Sequence, residues 1–249
     1  MGDVNSVNDL LHQALDLHRE LDNRLGQANT LQELAVVRRL TGDYPGADDL
    51  LCQALDLYRV LGHQRGQATA LYELGIVRRL TGDYRGADDS LRQALDLLRA
   101  LGDRHIQAIV RTQIAVVRHL TGNYAAAEDL FQQALTTLRA MSAPDDEAEA
   151  LNHLGTLRRL TGHPDQAQTL HREAQAIVHR HGHRLEEARG LEGTGRAAAD
   201  LGDIVSAAAL LRQSLHLYQA LGVPEATQVV ADLADFHPRP SDAAGNRSS

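Results

Sequence analysis

The 249-residue chain has no lysine and no tryptophan, two phenylalanines, one cysteine and six prolines. Each shortage excludes something. A single cysteine forms no internal disulfide, which fits a reducing, cytoplasmic compartment. Aromatic residues make up 3% of the chain, too few for base-stacking platforms. Nowhere do 18 apolar residues run together, so no transmembrane helix is expected. The opening MGDVNSVNDL lacks the basic start and apolar stretch of a secretory signal. With 33 acidic residues against 25 basic ones, a net charge of −8 and no basic run, the electrostatic footprint of non-specific nucleic-acid binding is missing. All 25 basic residues are arginine, which reads as the codon bias of a GC-rich genome and not as chemistry. No GxxxxGKS/T, GxGxxG, GxSxG, HExxH or CxxC motif occurs. What remains, 43% apolar and 23% charged, is the composition of a soluble folded protein.

What the chain does have is a repeat. LTGDY stands at Leu40–Tyr44 and at Leu80–Tyr84, and returns as LTGNY at Leu120–Tyr124, LTGHP at Leu160–Pro164 and LGDI at Leu201–Ile204. The glycines Gly42, Gly82, Gly122, Gly162 and Gly202 are 40 residues apart each time, without an insertion. Five residues later stands alanine: Ala47, Ala87, Ala127, Ala167, Ala207. Twelve later comes a small residue (Ala54, Ala94, Ala134, Ala174, Ser214), and seven before comes another (Ala35, Gly75, Ala115, Gly155, Gly195). Duplication is the only economical source of such columns.

Each unit reads as two helices. Ala28 to Leu40 places Leu31, Leu34, Ala35 and Val37 on one apolar stripe. Gly42 ends that helix as a left-handed residue, Asp43 caps the next, and Pro45 suits its first turn. The second helix runs to about Leu61 with Ala47, Leu50, Leu51, Ala54, Leu55 and Leu57 inward. Short side chains at 35, 47 and 54 let the two helices cross closely, and stacking on neighbours completes a core that one pair cannot bury alone. The predicted fold is all-α, an α-solenoid of stacked antiparallel helix pairs.

This pattern resembles the tetratricopeptide repeat (TPR) family. Leu31, Leu34-Ala35, Gly42-Asp43-Tyr44, Ala47, Leu51 and Ala54 occupy the places of that family's large residue, Leu-Gly/Ala, Gly-Asp-Tyr turn, Ala, large residue and Ala. The resemblance covers residues 2 to about 236 and recurs five times. It departs in period, 40 rather than the commoner 34, which implies longer helices or longer inter-repeat loops, and in its first-helix aromatic positions, which hold Leu31 and Arg38. Lysine-free 40-residue arrays of this kind look like the C-terminal segments of actinobacterial regulators that combine DNA-binding, NTPase and TPR parts.

The resemblance implies a right-handed α-solenoid with a concave groove lined by first helices, in which a protein or peptide is held. The residues projecting from those helices are Gln32, Tyr72, Thr112 and Asn152 in one column, Val36, Ile76, Val116 and Thr156 in a second, and Arg39, Arg79, His119 and Arg159 in a third. They predict an apolar floor with a cationic edge, suited to an acidic or amphipathic segment, with Tyr72 as the aromatic anchor. Against this stands internal pairing. The column of Arg38, Arg78, Arg118 and Arg158 recurs opposite Asp48, Asp49, Asp88, Asp89, Glu128 and Asp129, and duplication copies a structural ion pair as faithfully as a ligand contact. Nothing predicts a catalytic group, cofactor or metal. His179 and His183 are four apart, but Gly182 breaks their shared helix face. Cys52 lies in a polar column and is expected near the outer surface without a base. Asp48-Asp49 and Glu186-Glu187 are expected on solvated helix surfaces and at helix starts. His171 is odd, because Leu51, Leu91, Phe131 and Leu211 share its column. It predicts a packed histidine satisfied by a carbonyl, or else a pH-sensitive seam between the fourth and fifth repeats.

The domain plan that follows is a half repeat at 1–26, five repeats over 27–223, a capping helix at 224–236 and a disordered tail at 237–249. Gly2-Asp3-Val4 aligns with Gly42-Asp43-Tyr44, so an unpaired second helix, about Val4 to Leu21, opens the array. Its uncovered face predicts either a chain cut from a longer protein or a homo-oligomer, and self-association is the alternative to ligand binding. In the capping helix Val229, Val230 and Leu233 are expected inward, with Asp232 and Asp235 in solvent.

Overall fold

The computed structural model describes residues 2–235, so the tail expected from His237 onward lies outside the described residues. They form twelve helices: α1 (Gly2–Glu20), α2 (Arg24–Leu40), α3 (Tyr44–Val60), α4 (Gln64–Leu80), α5 (Tyr84–Leu101), α6 (Arg104–Leu120), α7 (Tyr124–Ala140), α8 (Pro144–Leu160), α9 (Pro164–His181), α10 (Arg184–Asp200), α11 (Ile204–Leu221) and α12 (Glu225–Asp235). The fold is all-α, and its helices follow one another as antiparallel pairs in a TPR-like array. Two compact units divide it, Met1–Thr137 and Leu138–Ser249.

A period of 20 underlies the period of 40. A residue with positive φ stands at Asp22, Gly42, Gly62, Gly82, Gly102, Gly122, Ser142, Gly162, Gly182, Gly202 and Gly222. Both connectors of each repeat therefore turn the same way, and the helices between them run for 17 to 18 residues. Longer helices, not longer loops, account for the 40-residue repeat. The Gly42 turn shows how it closes: Asp43 N–H donates to the Arg38 carbonyl at 2.9 Å, and the Asp43 carboxylate accepts from the Gly46 N–H at 3.0 Å. Asn23 does the same for Gly26 at 2.9 Å, which starts α2 at Arg24 and not at Ala28.

Within the first unit, Leu31, Leu34, Ala35, Ala47, Leu51, Ala54 and Leu55 are buried, with Leu50 and Leu57 packed partly against them. The short column works as a seat for the next helix. A Cβ on Gly75 would meet Leu91 Cγ at 2.5 Å, one on Gly155 would meet His171 Nε2 at 2.7 Å, and one on Gly195 would meet Leu211 Cγ at 3.1 Å. Glycine there brings the second helix in closer than alanine allows. Two tyrosines fill the core where other repeats carry aliphatic residues. Tyr58 donates its hydroxyl to Asn29 Oδ1 at 2.8 Å, and Tyr218 donates to Glu192 Oε2 at 2.6 Å; burial and nearby carboxylates push both phenols above their usual range.

Successive helices pack on one another from α1 to α6 and from α8 to α12. The first helices of neighbouring repeats approach one another closely, α2 on α4, α4 on α6 and α8 on α10, whereas the second helices α7 and α9 are joined by long side chains, Arg139 to Glu173 at 2.6 Å. First helices therefore form the inner row of each unit. In α12, Val229 is buried and Leu233 packs beside it, but Val230 is half exposed. Asp232 is not left to solvent either: it lies 2.7 Å from Arg196.

Candidate peptide-binding surfaces

On the inner row of the first unit, the predicted groove residues divide by exposure. Gln32, Val36 and Arg39 on α2, and Tyr72 and Arg79 on α4, are half-buried and form an open strip. Ile76, Thr112 and Val116 are buried, so the apolar floor closes towards α6, and the Thr112 hydroxyl is spent on the Ala108 carbonyl at 3.2 Å. His119 stays half-buried and packs edge-on against Tyr124. The arginine edge is tied into the fold: Arg39 Nε lies 3.2 Å from Glu73 across the repeat boundary. Burial raises the Glu73 pKa above its usual range, and Arg39 only partly opposes this. The neighbouring arginine column pairs internally as well. Arg78 reaches Asp48 at 3.2 Å, Arg118 reaches Asp88 at 2.8 Å, and Arg38 reaches the helix cap Asp43 at 3.0 Å.

In the second unit, Asn152 is buried, while Thr156 and Arg159 line a recess of about 120 Å³ between α8 and α10. Its wall is a polar network that the repeat pattern does not foretell. His171 is 1% exposed, held by a side-chain amide and not by a backbone carbonyl. The Asn152 Nδ2 group donates to the Glu186 carbonyl at 3.1 Å and to Glu186 Oε2 at 2.9 Å, which leaves Asn152 Oδ1 as the acceptor 3.0 Å from His171 Nδ1. Burial, then the charges of Arg159, His153 and Arg196, push the His171 pKa down to about 3. The folded ring is therefore neutral near pH 7, and acid opposes this packing instead of switching it there.

Glu186 also departs from expectation, since it is buried instead of solvated. It accepts from Arg189 at 2.6 Å, and Arg189 continues to Glu225 on α12 at 3.2 Å. Burial works against the Arg189 charge, but the attraction of Glu186 and its neighbours wins and raises its pKa. Arg196 bridges Glu192 at 2.9 Å and Asp232 at 2.7 Å, and Arg159 meets Asp200 at 3.1 Å.

The remaining candidates are Cys52 and the histidines around Gly182. Cys52 is half-buried against the core and not at the outer surface, its Sγ lying 3.6 Å from Asp48; burial and that carboxylate raise its pKa, away from the nucleophilic thiolate. His179 is exposed and 4.0 Å from Glu187, and Gly182 ends α9 with φ +75°. Among the described residues no three His, Cys, Asp or Glu side chains converge as a metal site. No described helix is long and apolar enough to cross a membrane.

A tetratricopeptide repeat family model matches residues 9–60 and 66–140, more than half of the chain. The chain belongs to the tetratricopeptide repeat family. TPR arrays are protein-binding scaffolds. The array is similar in structure to BtubC (BKLC) from P. vanneervenii, with TM-score 0.69 and 20% identity over 99% of this chain and 96% of that one. The Rap protein complexed with Competence and Sporulation Factor gives TM-score 0.72 at 13% identity over 94% and 71%. A signal transduction ATPase with numerous domains (STAND) that carries a tetratricopeptide repeat sensor, from Pyrococcus horikoshii, gives 0.69 at 15% over 91% and 36%. At these identities the likeness is one of fold. No curated protein matches in sequence.

Proposed function

We propose that this TPR chain binds a peptide or protein segment along the inner strip of α2 and α4, as the regulatory part of a larger cytoplasmic regulator. The observation that carries the reading is the strip itself. Val36 and Tyr72 offer half-open apolar surface beside the amide of Gln32 and the guanidinium groups of Arg39 and Arg79, all on helices held by the core. Such a surface is ordered before the partner arrives, which lowers the entropic cost of binding. An amphipathic segment suits it best. An acidic side chain on that segment joins the Arg39–Glu73 pair, because one guanidinium can serve two carboxylates. The Rap protein complexed with its factor, and the sensor repeats of the STAND ATPase, support a regulatory reading for an array of the same fold.

The test is selection of a displayed peptide library on the immobilised chain. Enrichment of sequences combining an aliphatic or aromatic residue with an acidic one is expected, with affinity falling at least about tenfold in Tyr72→Ala and the acidic preference lost in Arg39→Glu/Arg79→Glu. Failure to enrich, or peptides indifferent to these changes, would overturn the reading.

A second reading has its own observation. On α1, Leu10 and Leu17 are 63% and 57% exposed, although the matching Leu50 and Leu57 of α3 pack on the core. Self-association through this face predicts a mass that rises with concentration in light scattering and returns to monomer in Leu10→Asp/Leu17→Asp. A strict monomer at high concentration excludes it.

A further inference from the structure

The recess between α8 and α10 contains one polar atom whose bonding is incomplete. His171 Nε2 is buried and has no hydrogen-bond partner. Its character follows from the chain of bonds behind it. Asn152 must present its oxygen to the ring, because its Nδ2 group already serves two Glu186 oxygens. Nδ1 therefore carries the proton, and the neutral ring leaves Nε2 as an unpartnered acceptor. Nε2 lies between the backbones of Gly155 and Gly193, where a Cβ on either glycine would run into the ring. Gly193 and His171 both line the recess. Glycine at 193 replaces the Glu33, Glu73, Gln113 and His153 of the other repeats, and it carries the helix-interior penalty of that residue. The junction gives up helix stability to make room for the imidazole between the two helices.

The rest of the wall supplies donors. Arg159, Arg189 and Arg196 line the recess, and each is already matched by a carboxylate: Asp200, Glu186 with Glu225, and Glu192 with Asp232. The cations are thus compensated, and a carboxylate entering the recess would be an excess charge beside Glu192 that also leaves Nε2 without a donor. An ammonium group could donate to Nε2 but offers no acceptor to the guanidinium N–H groups. A neutral group with a donor and an acceptor on adjacent atoms meets both demands: N–H to His171 Nε2, and C=O to a guanidinium. We propose that this recess is a carboxamide pocket, which takes the side-chain amide of an asparagine or glutamine on a bound segment. At about 120 Å³ it has several times the room that one water needs, enough for an amide and its adjoining methylenes.

The assignment rests on the scaffold reading only for the source of the amide, so its test uses a free amide. In the full chain with 15N-labelled histidine, the His171 Nε2 resonance is followed during titration with propionamide, N,N-dimethylpropionamide and propionate. Propionamide should produce a saturable upfield shift of Nε2, as its lone pair becomes hydrogen-bonded. The dimethyl amide, which lacks the donor, should bind about tenfold or more weakly, and propionate should leave the resonance in place. In His171→Leu, which adopts the residue of Leu51, Leu91 and Leu211 in this column, the saturable binding of propionamide, read by ligand-observed NMR, should be lost. An Nε2 signal unmoved by propionamide means that water alone fills the recess and overturns the proposal. Equal binding of the dimethyl amide, or tighter binding of propionate, overturns it too. A chain that selects no peptide but passes this test retains the pocket, and the reverse outcome retains the scaffold.

Discussion

Gly193→Ala adds one methyl group to the middle of α10, where on helix propensity alone it should stabilise by about 1 kcal/mol. The structure predicts the opposite sign. The new Cβ would fall inside contact distance of three His171 ring atoms, and the ring cannot retreat without releasing Asn152, 3.0 Å from its Nδ1. Overpacking of this kind costs roughly 1–3 kcal/mol, and a buried amide oxygen left without its donor costs about 1–3 more. Taking about 2 for each and subtracting the propensity gain leaves a net loss of roughly 3 kcal/mol. For a chain of this size that lowers Tm by roughly 6–12 °C, measured by circular dichroism at neutral pH. The decisive arm is the same substitution in a His171→Ala background. With the ring gone the clash is gone, and Gly193→Ala should then raise Tm. A Gly193→Ala protein as stable as the parent, or one whose loss is the same in both backgrounds, would refute the reasoning.

His171 also governs acid sensitivity. Its folded pKa of about 3 lies below the ordinary 6.5, so the unfolded chain takes up a proton that the folded one refuses. Stability is therefore full above pH 6.5 and is lost as pH falls towards 3, by on the order of 4 kcal/mol from this group; His171→Leu should flatten that part of the stability–pH curve, and an unchanged slope in denaturant titrations would contradict it. Glu73 has a raised folded pKa, so its ionised form weakens the fold as pH rises through that value. Glu73→Gln should accordingly raise Tm at pH 7 and make little difference in acid below the ordinary glutamate range, whereas a lower Tm at pH 7 would mean that the Arg39 pair outweighs burial. Ser142 holds φ +54° where glycine stands at the equivalent turns. Ser142→Gly should relieve about 1 kcal/mol of left-handed strain and raise Tm by a few degrees. Asp22→Gly should gain less, since aspartate tolerates this conformation better.

The repeat made the fold legible, and for a physical reason. Gly42, Ala47 and Ala54 recur because a left-handed turn and a close helix crossing admit few residues, so duplication preserves them visibly. The second turn at Gly62, Gly102, Gly182 and Gly222 obeys the same rule, but aspartate and serine stand in its column at 22 and 142, which hides the 20-residue period. The surfaces were less legible. Exposure depends on how far each first helix is overlapped by its neighbours, so Val36 and Val116 look alike in sequence while one is half-open and the other buried. Likewise Glu186 reads as a solvated first-turn acid, until Asn152 and Arg189 are seen to surround it. The junction network did leave a trace. His171 and Gly193 each break their column within one pair of adjacent repeats, and two coincident departures mark a site better than a single one.

The central claim is that the inner strip of α2 and α4, and not the outer surface of the second helices, meets the partner. Affinity for a library-selected peptide, measured by calorimetry, tests it in three variants: Val36→Asp, Tyr72→Ala, and Val205→Asp on α11, where Val205 is 84% exposed. The account predicts that the first two lose binding while the third keeps parental affinity. Loss in Val205→Asp with Val36→Asp and Tyr72→Ala unaffected would contradict it.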